Sequence, residues 1–113
     1  MHKLAIAQET VKIVQEYAQR ERVKKVVCVY LCIGKLSGIL PEALDFCLSI
    51  CKTGTSLESV DFKIECVPAI AKCKDCFTYF DITMHDFSCP CCNHSNWEII
   101  SGKELSIKYI EVI

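Results

Sequence analysis

Two short cysteine pairs constrain this chain more than any other feature. Cys73-Lys74-Asp75-Cys76 and Cys89-Pro90-Cys91-Cys92 stand twelve residues apart. A Cys-x-x-Cys turn can aim both of its sulfurs at one ion, and four thiolates from two such turns suit a closed tetrahedral zinc site. The connecting stretch is shorter than the common spacing of about 15–20 residues, but it leaves room for a small hairpin or ribbon. The i, i+3 pairing selects Cys89 and Cys92 over Cys91, which would ligate only if the turn slipped. His85 and His94 flank the pairs and are alternative ligands at lower pH, although loop histidines are more often simply solvated. Disulfides and unliganded core thiols are the competing readings of the cysteines.

The compartment bears on that choice. The opening Met1-His2-Lys3-Leu4-Ala5 runs into polar residues and lacks the apolar run of about 7–15 residues that a secretory signal needs. The longest apolar stretch, Val26 to Ile33, is far short of the roughly 20 residues that cross a bilayer. A soluble cytoplasmic protein with no membrane partner is expected, and in a reducing compartment cysteines serve as ligands and buried thiols rather than bridges. At 113 residues the chain has the size of one ordinary domain with a small metal-held module. A formal charge of −1 and a pI near 6.3 do not describe a protein that neutralises many phosphates, so nucleic acid is not an expected partner. The basic stretch from Arg20 to Lys25 reads as a solvated helix end.

Leu4, Ala7, Val11, Val14 and Ala18 recur at helical spacing, widened by Ile6, Ile13 and Tyr17, and predict an amphipathic helix over 4–21. Val26 to Ile33, apolar and rich in β-branched residues, predicts a central strand or one covered on both faces. A glycine-bearing loop leads to Pro41, well placed in a first helical turn, and predicts a helix over 41–52 with Leu44, Cys47, Leu48 and Cys51 on one face. Val60, Phe62, Ile64 and Cys66 alternate with polar neighbours as a half-exposed strand, which Pro68 ends. After Trp97 to Ile100 and a Ser101-Gly102 turn, Leu105, Ile107 and Tyr109 alternate along a last strand. The expected fold is α+β: two helices on a three-stranded mixed sheet from residues 1–69 and 100–113, with a zinc-ribbon-like module, 70–99, inserted near its end. Cys28, Cys32, Cys47, Cys51 and Cys66 are read as core packing.

Four thiolates would serve equally in a rubredoxin-like iron electron carrier or in a zinc-ribbon interaction module. A nucleic-acid ribbon would need a basic surface, whereas 71–98 sets Lys72 and Lys74 against Asp75, Asp81, Asp86 and Glu98. No nucleophile stands with a paired base that the sequence can place, so no catalytic residue is assigned and no enzyme is expected. His2, directly after the initiating methionine, offers an imidazole beside main-chain nitrogens, a donor set that suits square-planar Ni(II) or Cu(II).

Taken together, Met1-His2, Ile33-Gly34-Lys35-Leu36-Ser37 followed by Pro41-Glu42-Ala43-Leu44, the two cysteine pairs, and Ser101-Gly102-Lys103-Glu104-Leu105 with Ile107 and Ile110-Glu111-Val112 resemble the HypA/HybF hydrogenase nickel-incorporation factors over essentially the whole chain. The resemblance implies a metallochaperone. Nickel would be held by His2 with main-chain nitrogens of Met1, His2 and Lys3, and a structural zinc by Cys73, Cys76, Cys89 and Cys92. The nickel would go to the immature [NiFe] hydrogenase large subunit, with the GTPase HypB as partner and, in some bacteria, the urease maturation proteins. Monomer and homodimer are both compatible. Lys3 departs from the family's usual glutamate, and Leu40 stands where some relatives carry an acid. Glu42 and Asp45 are then the nearest carboxylates, and their positions suit helix N-terminal charges.

Overall fold

A computed structural model describes residues 2–113. Helix α1 spans Lys3–Arg20 and packs Ile6, Ala7, Val11 and Val14 into the core. Thr10, buried on the same face, donates its hydroxyl to the Ile6 carbonyl at 2.7 Å. The helix stops because Arg22 turns left-handed (φ 53°), letting Val23 N–H reach back to the Ala18 carbonyl and Arg22 N–H to that of Gln19. Helix α2 spans Pro41–Lys52, the predicted range, with Leu44, Cys47 and Leu48 buried and Cys51 half-buried on one face. Gly54 (φ +77°) follows its end.

Strand β1, Val26–Gly34, is the centre of a sheet ordered β2-β1-β6. Strand β2, Asp61–Val67, runs parallel to it after the α2 crossover, and β6, Leu105–Val112, is antiparallel on the other side. The mixed three-stranded sheet with two helices is thus the expected one. Both helices lie against one face, over a core of Val14, Val29, Ile33, Leu44, Leu48, Leu57 and Val60.

Four expectations fail, through how the elements pair with and cover one another. Tyr109 does not share a face with Leu105 and Ile107. Leu31 pairs with Ile107 while Tyr30 pairs with Tyr109, so Lys108 is an extra residue, and this bulge sends Tyr109 to the far face. There it stacks on Tyr30 with ring centroids 4.2 Å apart, and Ile110 takes its place against the core. A second shift at Val27 leaves that side chain exposed in an otherwise buried stretch. Cys66, expected in the core, is exposed at the end of β2. Leu4 and Ile13 are likewise exposed. Ile13 forms a wall of an apolar groove of about 550 Å³ between α1 and β6, because two helices do not cover three strands.

A second sheet, ordered β4-β3-β5, contains β3 (Ile70–Cys73), β4 (Tyr79–Asp81) and β5 (Trp97–Ile99). A 3-10 turn, Ile82–Met84, follows β4, with the Asp81 carboxylate accepting from the Thr83 N–H and hydroxyl. Its core joins Ala69, Ala71, Phe80 and Ile82 to Cys73 and Cys89. Backbone packing clasps the sheets together. Gly34 N–H donates to the Glu104 carbonyl at 2.8 Å, Leu36 N–H to that of Gly102 at 2.7 Å, and the Leu36 side chain packs against the second core. Among the described residues no helix is long and apolar enough to cross a membrane.

Candidate metal centre

The two cysteine turns are built alike. In the first, Cys73 N–H donates to the Thr78 carbonyl and Phe77 N–H to the Cys73 carbonyl. In the second, Cys89 N–H donates to His94 and Asn93 N–H to Cys89, all at 2.8–2.9 Å. Phe77 (φ 65°) and Asn93 (φ 62°) take the left-handed conformation at equivalent positions, which closes each turn. The leading cysteines, Cys73 and Cys89, are buried in the second core, and Cys76 and Cys92 are half-buried above them. β3 delivers the first turn, while the second hangs on the irregular stretch between the 3-10 turn and β5.

All four sulfurs lie within 4.8 Å of one another, with Cys73–Cys92 and Cys76–Cys89 at 3.5 Å. A disulfide needs about 2.0 Å. Four thiolates on one ion at a Zn–S distance of about 2.3 Å would lie about 3.8 Å apart, so the spacing fits a tetrahedral thiophilic ion without rearrangement. All ten cysteines are free thiols. Cys76 and Cys92 do not ionise together. The Thr78 hydroxyl, 3.3 Å from the Cys76 sulfur, and the Thr78 N–H overcome burial and hold Cys76 down at about 6. At Cys92 the His94 N–H favours the thiolate, but burial and the sulfurs of Cys73, Cys89 and Cys76 outweigh it and push the thiol up to about 12. A divalent cation held by Cys73, Cys76, Cys89 and Cys92 would supply the charge that lets all four be thiolates at once.

Cys91 is exposed and outside the cluster. His85 meets the Phe80 ring edge-on, and His94 places Nδ1 3.0 Å from the Asp75 carboxylate, so neither histidine joins the sulfurs. Asn96 donates to the other Asp75 oxygen at 3.2 Å. Spacing alone gave no hint of Asp75, Asn96 or Thr78 as supporting residues, since contacts between separate turns leave no local period.

The family model described as "Hydrogenase/urease nickel incorporation, metallochaperone, hypA" matches residues 1–112. The chain belongs to the HypA family. The hydrogenase maturation factor HypA of Nostoc sp. is 43% identical over 112 residues, covering 99% of this chain and 96% of its own length. That of Geobacter sulfurreducens is 37% identical over 112 residues, with 99% of each chain covered. The solution structure of the Ni metallochaperone HypA from Helicobacter pylori superposes with a TM-score of 0.69 at 19% identity, covering 100% of this chain and 98% of its own. A second HypA solution structure gives 0.74 at 20%, with 100% and 97% covered, and at these identities the likeness speaks for the fold. HypA proteins are metallochaperone maturation factors rather than enzymes.

Of the residues expected at the second site, Met1 lies outside the described residues. His2 is exposed, directly ahead of α1, and its carbonyl accepts from Ile6 N–H at 3.1 Å. It borders a shallow recess of about 300 Å³ with Lys3, Gly38, Ile39, Leu40 and Ala43. Among the described residues it belongs to no cluster of three or more side chains able to hold a metal.

Proposed function

We propose that this HypA-family chain carries Ni(II) to the immature [NiFe] hydrogenase large subunit and keeps a structural zinc in its cysteine cluster. The family match over residues 1–112 is the observation that carries this reading. In it, Cys73, Cys76, Cys89 and Cys92 hold Zn(II), and His2 holds nickel with main-chain nitrogens of Met1, His2 and Lys3. Residues 70–99 form the zinc module, and 1–69 with 100–113 form the nickel domain. HypB is the GTPase partner, urease maturation proteins are further ones, and the free thiols suit a reducing cytoplasm.

The division of labour follows from chemistry. Four thiolates close their coordination sphere, as a resident structural ion requires. The terminal site suits cargo. The first N–H groups of a helix have no intrahelical acceptor, so the Lys3 amide is free to lose its proton to water while its nitrogen takes the metal. The positive end of α1 and the Lys3 ammonium both oppose a bound cation, which favours release.

Transfer is the direct test. Nickel-loaded protein is incubated with nickel-free large subunit, and metal is assayed on the separated subunit. Wild type should pass nickel on and His2→Ala should not. Equal transfer by both would remove His2 from the mechanism.

A further inference from the structure

The two cysteine turns are joined by more than their sulfurs. Asp75 sits inside the first pair, and both of its carboxylate oxygens reach across to the stretch that follows the second: Oδ2 to His94 Nδ1 at 3.0 Å, Oδ1 to Asn96 Nδ2 at 3.2 Å. Beneath them Lys74 N–H donates to the Asn96 carbonyl at 2.8 Å. Among the described residues Asp75 is the one side chain, cysteines apart, that hydrogen-bonds from one turn to the segment of the other. A carboxylate beside a divalent ion already held by four thiolates is electrostatically unfavourable, because the sulfurs bring four negative charges against two. Its placement therefore needs another cause, and the fork of bonds to His94 and Asn96 supplies one.

The segment that Asp75 grips has few other anchors. From His85 to Asn96 no helix or strand forms, and Asp86, Phe87 and Asn93 all take left-handed backbone conformations. Ser88 N–H bonds only as far as His85, Phe87 N–H to the Ile82 carbonyl, and Trp97 Nε1–H to the Phe87 carbonyl, none of them crossing to the first turn. Cys89 and Cys92 lie on this segment, so its grip on the first turn sets how long the four sulfurs stay together.

We propose that Asp75 is a positioning residue, a clasp that holds the second cysteine turn against the first and slows loss of the metal. It ligates nothing itself. Hydrogen bonds made to metal ligands themselves typically change metal affinity about 10–100-fold, and a clasp one residue further out is expected at the lower end of that range. The inference rests on the reading of the cluster as a zinc site.

The test measures zinc release from full-length, zinc-loaded protein into excess chromogenic chelator at one fixed pH, for wild type, Asp75→Ala, Asn96→Ala and the double variant. Trp97 fluorescence checks that each variant is folded around its metal, and Asp75→Asn, which keeps one acceptor oxygen, serves if alanine fails to fold. All should load one zinc. Asp75→Ala should release it about tenfold faster or more, Asp75→Asn and Asn96→Ala by intermediate factors. The double variant should be no faster than Asp75→Ala, because both substitutions break the same clasp. Wild-type release rates in Asp75→Ala, or factors that multiply in the double variant, overturn the clasp while leaving the zinc site standing. Failure of wild type to hold zinc at all overturns the reading beneath it.

Discussion

Replacing Gly34 by alanine should be among the most damaging single-methyl changes available in this chain. A Cβ there would lie 1.9 Å from the Gly102 carbonyl oxygen and 2.1 Å from its carbon, both backbone atoms. Ordinary contact begins at 3.4 Å, so the two segments must part by about 1.5 Å. That separation breaks the Gly34 N–H bond to Glu104 and the Leu36 N–H bond to Gly102, in a junction where both glycines are buried. Each such bond broken without replacement costs about 1–3 kcal/mol, giving about 4 kcal/mol for the two. For a chain of this size that corresponds to a fall in Tm of about 15–20 °C. Gly38→Ala is the matched control: Gly38 also lies in the loop after β1, at φ +80°, but a Cβ would meet nothing within 4 Å, so only backbone strain of about 1 kcal/mol is expected. Thermal and urea unfolding of zinc-loaded protein, followed by far-UV circular dichroism, measures both. Gly34→Ala falling within 1 kcal/mol of wild type, or proving milder than Gly38→Ala, would refute the clasped junction.

Cys89→Ser should abolish zinc retention through gel filtration, whereas Cys91→Ser should retain one zinc per chain; equal loss in both would mean that the second turn has slipped. Zinc affinity should rise with pH, because binding displaces protons. At pH 7 Cys76, held near 6, is ionised, while Cys92, near 12, is not. Affinity should therefore fall at least about tenfold per unit as pH drops from 8 to 6.5, and more steeply once Cys76 also protonates below 6. Competition against a chelator of known proton affinity checks the slope, and a flat profile would contradict it. Leu48→Ala, in a fully buried position beneath α2, should cost about 2–5 kcal/mol in urea unfolding, and less than 1 kcal/mol would mean that the helix is not packed as described.

Much of this architecture is legible in the sequence because its signals are local. Pro41, Glu42 and the spacing of Leu44, Cys47 and Leu48 specify α2 without reference to the rest of the chain, and the repeated cysteine pairs specify a four-sulfur cluster wherever the turns lie. What stays hidden depends on pairing. Strict alternation places Tyr109 with Ile107, and only the register against β1 reveals the extra Lys108. Ile13 carries the apolar signature of a buried helix face, yet it is 44% exposed because no third helix covers β6. Cys66 alternates correctly along β2 but is exposed near the strand's end. The Asp75 fork joins residues about twenty positions apart, so no periodicity announces it.

If two metals occupy two chemically different places, calorimetric nickel titration of tag-free, zinc-loaded protein separates them. Wild type should bind about one nickel per chain; His2→Ala and a variant extended by one N-terminal glycine should lose it while their zinc remains bound. Nickel binding that survives both changes, or that disappears with Cys73→Ala while the first sheet stays folded, would contradict the account.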